Sequence, residues 1–215
     1  MSTDTKQVII EEKPAEEKPA GEKPAEEKPA AKPAAKPAAK PAAKPAAKPV
    51  ELPAFEKSIS DKVVEKFGDK IQVEFVKENR VGIKVNREDV HDVAEFIRDG
   101  LNYDHVESVS GVDYPQDKEI EVVYHIGSYS DSSLAKQILV LATRAQREEN
   151  PIPGKDATKL PTLRDIFYSV EFHEREVFEM FGVYFTGHPD NRRLLLPEDW
   201  ADLPPLRKDF AIKGR

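Results

Sequence analysis

A proline repeat confines the folded part of this chain to its last three quarters. From Glu11 to Pro49 the sequence repeats Glu-Glu-Lys-Pro-Ala, with one variant at Gly21, and then Ala-Lys-Pro-Ala. Each proline fixes φ, removes a backbone donor and biases the preceding residue away from the helix, so neither a helix nor a strand can propagate. We therefore predict that residues 1–53 form a disordered, low-complexity Lys-Pro-Ala tail.

The role of this tail stays open. Its ten Lys and nine acidic residues fit a low-complexity expansion that only adds solubility. A functional alternative is a tether that presents Val8, Ile9 and Ile10 to a partner. Another is a basic segment, Lys32 to Lys48, that touches anionic lipid.

The composition of residues 54–215 excludes several classes of function. With 23 basic and 31 acidic side chains, this part is too acidic for a nucleic-acid partner, which needs a basic face. The chain has no cysteine, which excludes disulfides and thiolate-held iron–sulfur clusters within it. No apolar run approaches the roughly 20 residues that span a bilayer, so we expect a soluble cytoplasmic chain unless a partner holds it at a membrane.

Hydrophobic periodicity predicts an α+β fold for residues 54–147, a two-layer domain with helices on one face of a sheet. The first helix is predicted to end at Gly68, and the second to be capped by Asn86 and ended by Gly100. The predicted order is helix, two strands, helix and three strands, at 53–67, 71–76, 81–85, 86–100, 106–112, 119–126 and 136–145.

Residues 148–170 are predicted as a loop, from Glu148 to Leu160, and a short helix that Pro161 opens. Ser169 is predicted to cap a longer helix, which Gly182 ends. From there to Arg215 the sequence is charged, punctuated by proline and without an apolar period. We expect this extended C-terminal arm not to bury itself in its own chain, so that 171–215 consists of a helix and an arm that wraps a partner.

The acidic run around His173 does not predict a catalytic or metal site. His-Glu-Arg-Glu has no second histidine at i+4, so one helix face cannot supply two imidazoles. Helical spacing also spreads the carboxylates from Glu171 to Glu179 over several faces. No serine lies in a Gly-x-Ser-x-Gly motif, and no Gly-rich phosphate loop is present. The run instead predicts ion pairs, within the chain or across an interface.

Trp200 and the paired cations of the arm indicate binding to another protein. Arg192-Arg193 and Arg207-Lys208 suit carboxylates of a neighbouring subunit, because the guanidinium fork fits interface ion pairs. Phosphates or a quinone-site loop are alternatives. Trp200, the only tryptophan, lies among prolines and is predicted to be an interface anchor.

The C-terminal quarter resembles the 30 kDa subunit family of respiratory complex I, with relatives in energy-converting membrane-bound hydrogenases and archaeal sulfur-reducing complexes. A weaker similarity extends back through Ser110-Gly-Val-Asp-Tyr-Pro115 to about residue 56. The motifs that carry the resemblance are Glu174-Arg175-Glu176, Met180-Phe181-Gly182, Gly187-His188-Pro189-Asp190, Arg192-Arg193, Pro197-Glu198-Asp199-Trp200 and Pro205-Leu206-Arg207-Lys208-Asp209.

The resemblance implies a cofactor-free, non-catalytic scaffold subunit in the peripheral arm of a membrane-bound, ion-translocating redox complex. Iron–sulfur clusters, and NiFe in a hydrogenase, would belong to partner subunits. The implied partners are a NiFe-hydrogenase-like large subunit, a small iron–sulfur subunit and, through the complex, antiporter-like membrane subunits, all at the cytoplasmic face of the cell membrane. The implied interface and architecture residues are Glu174, Arg175, Glu176, Gly182, Gly187, His188, Pro189, Asp190, Arg192, Arg193, Pro197, Asp199, Trp200, Leu206, Arg207, Lys208 and Asp209.

Three departures from the family pattern bear on the type of complex. Glu179 stands where the family usually has Asp, Asp202-Leu203-Pro204 replaces a Gly after Trp200, and Ala211 stands where a Pro often follows. An archaeal hydrogenase or sulfur-reducing complex therefore fits at least as well as quinone-linked complex I, and the abundance of Lys and Glu suggests a thermophile. The alternative function is a stand-alone adaptor that clamps an unrelated partner through the arm.

Overall fold

The computed structural model describes residues 53–149, 158–197, 199–200 and 202–212. The predicted Lys-Pro-Ala tail lies outside the described residues, apart from Pro53. The described helices are α1 (Ala54–Phe67), α2 (Val90–Leu101) and α3 (Val170–Phe181). The described strands are β1 (Ile71–Lys77), β2 (Arg80–Val85), β3 (His105–Tyr114), β4 (Glu119–Gly127), β5 (Ile138–Gln146), β6 (Thr158–Pro161) and β7 (Val183–Thr186).

Five strands form one mixed sheet in the order β1-β2-β5-β4-β3. β2 and β5 run parallel, with Ile83 opposite Leu141, and the other neighbours are antiparallel. The predicted α+β class, with a helix, two strands, a helix and three strands, is confirmed.

Alternation along the strands places the core on one face of this sheet. Side chains of β2, β4 and β5 that point to this face, such as Ile83, Tyr124 and Leu141, are at most 3% exposed. They share one apolar cluster with Val63 of α1 and Ile97 of α2, and with residues of α3. The helices therefore cover one face and form the second layer.

The predicted ends of α2 are wrong at both termini. The helix begins at Val90 after Asp89, rather than at an Asn86 cap, and it continues through Gly100. Asn102 then adopts a left-handed conformation with φ of 60°, and its N–H donates to the Ile97 carbonyl. Asparagine tolerates this conformation better than most residues with a Cβ, so the helix can end there without glycine.

The short helix predicted after Pro161 is also wrong. Thr158–Pro161 is strand β6. It pairs in parallel with β7, the strand that follows α3 in the chain. Pro161 ends this strand, and Leu160 and Phe185 are buried in the core. These two four-residue strands form because they pair with each other, although α3 separates them in the chain. They are too short to be recognised by hydrophobic periodicity. Of the predicted 148–160 loop, residues 150–157 lie outside the described residues.

Candidate functional site

α3 exposes aromatic side chains at its N-terminal end. Its buried residues include the apolar Val170, Val177 and Phe178. Tyr168, just before the helix, is 74% exposed, and Phe172, one turn later, is 59% exposed. The Arg164 guanidinium carbon lies 4.4 Å from the centre of the Tyr168 ring. Exposed aromatic rings beside arginine are typical of protein-binding surfaces.

Two further residues on the same side of α3 hold the segment that follows β7. Phe172, Arg175 and Glu179 are spaced i, i+3 and i+7 along α3, so they lie on one side of the helix. Arg175 donates from Nε to the Arg192 carbonyl at 3.0 Å and from Nη2 to the Arg193 carbonyl at 2.9 Å.

Glu179 completes this attachment. Its carboxylate accepts hydrogen bonds of 2.9–3.0 Å from the backbone N–H groups of Leu194, Leu195 and Leu196. Leu194 and Leu195 remain 41% and 61% exposed beside the helix. We call Tyr168, Phe172, Leu194 and Leu195 the α3 surface.

Glu174, the first residue of the Glu-Arg-Glu motif, lies inside the molecule at 0% exposure. Its Oε1 accepts from the Tyr124 hydroxyl at 3.1 Å and from the Leu163 N–H at 2.9 Å, and its Oε2 accepts from the Thr162 hydroxyl. Burial raises the pKa of Glu174 to about 7, although these hydrogen bonds act to lower it. Glu174 thus joins α3 to β4 and to the loop after β6.

His188 is buried beside this carboxyl, in a turn that begins at Gly187, where φ is +87°. Its Nδ1 accepts from the Asp190 N–H at 3.0 Å, and its Nε2 lies 3.1 Å from the Glu171 carbonyl. Asp190 also pairs with the exposed Arg192 at 2.8 Å, and the hydrogen bond from this guanidinium lowers the pKa of Asp190.

The end of the arm is fixed by buried charges, so the expectation that the arm cannot bury itself in its own chain is wrong in part. Arg207 is 3% exposed and donates from Nε to the Phe181 carbonyl at 2.6 Å and from Nη1 to the Glu148 carbonyl. These contacts place a cation at the carbonyl end of α3, where the helix dipole favours it. Burial lowers the pKa of Arg207, with a further contribution from Arg147.

Asp113 of β3 organises the other half of this contact. It pairs with Arg147 at 2.7 Å and accepts from the Lys208 N–H at 2.9 Å. Arg147 also pairs with Asp209 at 2.7 Å. We call Asp113, Arg147, Arg207 and Asp209 the arm clamp.

Trp200 is half-buried within the arm. Its Nε1 donates to the Leu203 carbonyl at 3.2 Å, and its ring lies 6.0 Å from that of Phe210. Arg193 donates to the Trp200 and Pro197 carbonyls at 2.7 and 2.8 Å. The interface role of Trp200 stays a prediction, and its visible contacts order the arm.

The remaining predicted residues do not form one cluster, and most of them are exposed. Gly182 ends α3 with φ of 77°, as predicted. Leu206 is 55% exposed, and its N–H donates to the Met180 carbonyl. Exposed positions among the predicted residues are Glu176, Gly187, Pro189, Arg192, Pro197, Asp199, Leu206, Lys208 and Asp209.

Sequence reasoning missed the residues that receive the motif side chains. Tyr124 and Thr162, which hold Glu174, and Arg147 of the arm clamp follow from tertiary contacts alone. Tyr168 and Phe172 carried a signal, because two aromatic residues at i and i+4 fall outside the apolar face formed by Val170, Val177 and Phe178.

A cleft of about 640 Å³ opens where the parallel strands β2 and β5 end. Its lining includes Lys84, Arg144 and Glu119. Arg144 pairs with Glu119 at 3.0 Å and with Glu121 at 2.8 Å. The cleft therefore offers mixed charge rather than a site for one kind of ion.

Within the described ranges, no group of three or more His, Cys, Asp or Glu residues is placed to hold a metal ion. None of the helices in this part of the chain is both long and apolar enough to cross a membrane.

Comparison with known proteins gives a consistent group of relatives. An F(420)H(2) dehydrogenase subunit of Methanosarcina mazei is 35% identical over 131 residues, which cover 61% of this chain and 75% of the relative. An NADH-quinone oxidoreductase subunit of Chlorobium phaeobacteroides is 35% identical over 156 residues, covering 71% and 87%.

A chain in the solved structure of the membrane-bound sulfane sulfur reductase, an archaeal respiratory membrane complex, has the same fold. It superposes with a TM-score of 0.58 at 27% identity, over 73% of this chain and 86% of that one. The family model for the 30 kDa subunit of respiratory-chain NADH dehydrogenase matches residues 83–215. The chain therefore belongs to this family, whose members are subunits of complex I-like and related membrane-bound respiratory complexes.

Proposed function

We propose that this chain is a cofactor-free scaffold subunit of a membrane-bound, ion-translocating redox complex. The observation that carries the proposal is the α3 surface, where Tyr168, Phe172 and Leu195 remain 59–74% exposed on an ordered helix and its attached segment. Leaving such side chains in water is unfavourable, and a partner that covers them gains the free energy of their burial.

The names of the relatives support a structural rather than a catalytic role. One is a subunit of an F(420)H(2) dehydrogenase, one of an NADH-quinone oxidoreductase, and one belongs to a sulfane sulfur reductase. These complexes differ in the substrate that their names give. A chain of the same family in all three is best explained by a task that does not depend on the substrate, which is assembly.

The partner proposed for the α3 surface is a NiFe-hydrogenase-like large subunit, next to a small iron–sulfur subunit. Redox cofactors would then lie in those partners, and the chain would be held peripherally at the cytoplasmic face of the membrane by them. Support comes from the motifs around α3, which build the surface: Arg175 and Glu179 fix the backbone that presents Leu194 and Leu195. An archaeal hydrogenase or sulfur-reducing complex is proposed alongside quinone-linked complex I.

Affinity purification from native membranes in mild detergent tests this proposal. The tagged wild-type chain is expected to recover a NiFe-like large subunit together with antiporter-like membrane subunits, identified by mass spectrometry. Recovery of one unrelated protein would overturn the proposal in favour of the adaptor alternative.

Substitution of the α3 surface tests where the partner docks. Phe172→Ala with Tyr168→Ala is expected to reduce recovery of the large subunit at least tenfold, because exposed aromatics often dominate binding energy. Phe55→Ala is the matched control, since Phe55 is a 47% exposed phenylalanine on α1. Normal recovery by the double variant, or equal loss in the control, would exclude the α3 surface as the docking site.

A further inference from the structure

The carboxyl of Glu174 is surrounded by neutral groups. Tyr124, Thr162 and Leu163 supply its three hydrogen bonds, and all three donors are uncharged. Asp165, in the loop before α3, adds a negative charge nearby and acts against ionisation of Glu174. The arginines of the region are directed elsewhere: Arg164 pairs with Glu171 at 2.9 Å, and Arg175 binds the 192 and 193 carbonyls.

His188 is the one titratable base in contact with this site among the described residues. Its Nε2 lies 3.9 Å from Glu174 Oε2, and both side chains are fully buried. Nδ1 accepts a hydrogen bond from the Asp190 N–H, so this nitrogen carries no proton and Nε2 carries the hydrogen. Nε2 lies 3.1 Å from the Glu171 carbonyl, so the two ring nitrogens are engaged by the backbone of Glu171 and Asp190 and not by the carboxyl of Glu174.

We propose that Glu174 is a proton-controlled latch for the His188 turn, defined as Gly187–Arg192. Neutral Glu174 keeps this turn seated against α3, and ionised Glu174 promotes its local opening. The physical reason is solvation: a buried carboxylate without a cation is strongly unfavourable, and moving the His188 ring away lets water reach it. The latch would respond near neutral pH, since burial raises the pKa of Glu174 to about 7.

The latch adds to the proposed function and does not depend on which partner binds. The His188 turn is followed directly by the backbone that Arg175 and Glu179 hold, so its opening loosens one end of the α3 surface. A change in the protonation of the buried Glu174 would thereby alter the exposed α3 surface.

Hydrogen–deuterium exchange of the full-length chain between pH 5.5 and 8.5 tests the latch. After correction for the intrinsic dependence of exchange on pH, peptides covering 187–196 are expected to open more as Glu174 ionises. The opening constant should rise by up to about tenfold per pH unit below the pKa of Glu174 in the closed turn, about 7, and level off above it, as linkage to one proton requires. Glu174→Gln, which mimics the neutral carboxyl, is expected to remove this rise.

Two further variants allow the latch to be tested even if Glu174→Gln does not fold. Glu171→Gln changes a half-buried carboxylate on the same helix and should leave the response intact. Tyr124→Phe removes a donor to the ionised carboxylate, so it should raise the midpoint of opening to a higher pH.

A flat response in the wild-type chain, an unchanged response in Glu174→Gln, or loss of the response in Glu171→Gln would overturn the latch. An unchanged midpoint in Tyr124→Phe would do the same.

Discussion

Arg207 joins the arm to the carbonyl end of α3. Its Nε donates to the carbonyl of Phe181, the last residue of α3, and its Nη1 donates to the carbonyl of Glu148, which follows β5. Its Nη2 has no acceptor among the described residues. Two directed donors at fixed geometry explain why arginine suits this position and lysine does not.

Arg207→Lys is expected to destabilise the fold by about 1–3 kcal/mol, because an ammonium on a flexible stem cannot reproduce both hydrogen bonds and remains buried. Urea denaturation followed by circular dichroism measures the difference. Arg87→Lys is the matched control, since the Arg87 side chain is 53% exposed and its only ion pair among the described residues is with its neighbour Glu88. Equal midpoints for the two variants would show that the buried contacts contribute nothing.

At the scale of elements, the packing of α3 on β3 depends on the absence of a side chain. A Cβ added at Gly111 would lie 2.5 Å from Cδ2 of Phe181, closer than packed carbon atoms approach. Phe181 is itself a buried member of the core cluster, so its ring has little room to move.

Gly111→Ala is therefore expected to destabilise the domain by about 1–3 kcal/mol through overpacking. Thermal unfolding should show a lower midpoint. The control is Ser110→Ala on the neighbouring position, which is exposed and faces the other side of the sheet. A stable Gly111→Ala variant would mean that α3 can shift on β3 without loss of packing.

Elements with a strong local signal could be predicted from the sequence, and elements fixed by distant contacts could not. α1 ends before Gly68 and α3 before Gly182, as their glycines indicate. β6 was missed because its four residues acquire strand geometry by pairing with β7 beyond α3. The same limit applies to the site, where Glu174 stood out in its motif but its partners Tyr124 and Thr162 lie 50 and 12 residues away.

For the whole molecule, the buried carboxyl predicts a loss of stability on the alkaline side. The folded-state pKa of Glu174, about 7, lies above the ordinary value of 4.5, so the folded chain binds a proton that the unfolded chain releases. This stabilisation is complete below about pH 4.5 and disappears as pH rises through 7. Between pH 5 and 8 the free energy of unfolding is expected to fall by roughly 2–3 kcal/mol from this group.

Chemical denaturation at several pH values measures this effect. Glu174→Gln should show a smaller decrease over the same range, and the difference between the two proteins isolates the Glu174 contribution from other titrating groups. Parallel curves for wild type and variant would show that Glu174 does not titrate between pH 5 and 8.

The position of β5 in the sheet has a consequence for synthesis of the chain. β1 and β2 form one hairpin and β3 and β4 another, and each can pair as soon as it leaves the ribosome. β5 lies between β2 and β4, so both of these strands keep an unpaired edge until residue 146 has emerged. Open edges next to apolar residues such as Ile83 invite pairing with other nascent chains. One late strand therefore closes two edges at once, and the period of exposure depends on how fast translation passes from Gly127 to Gln146.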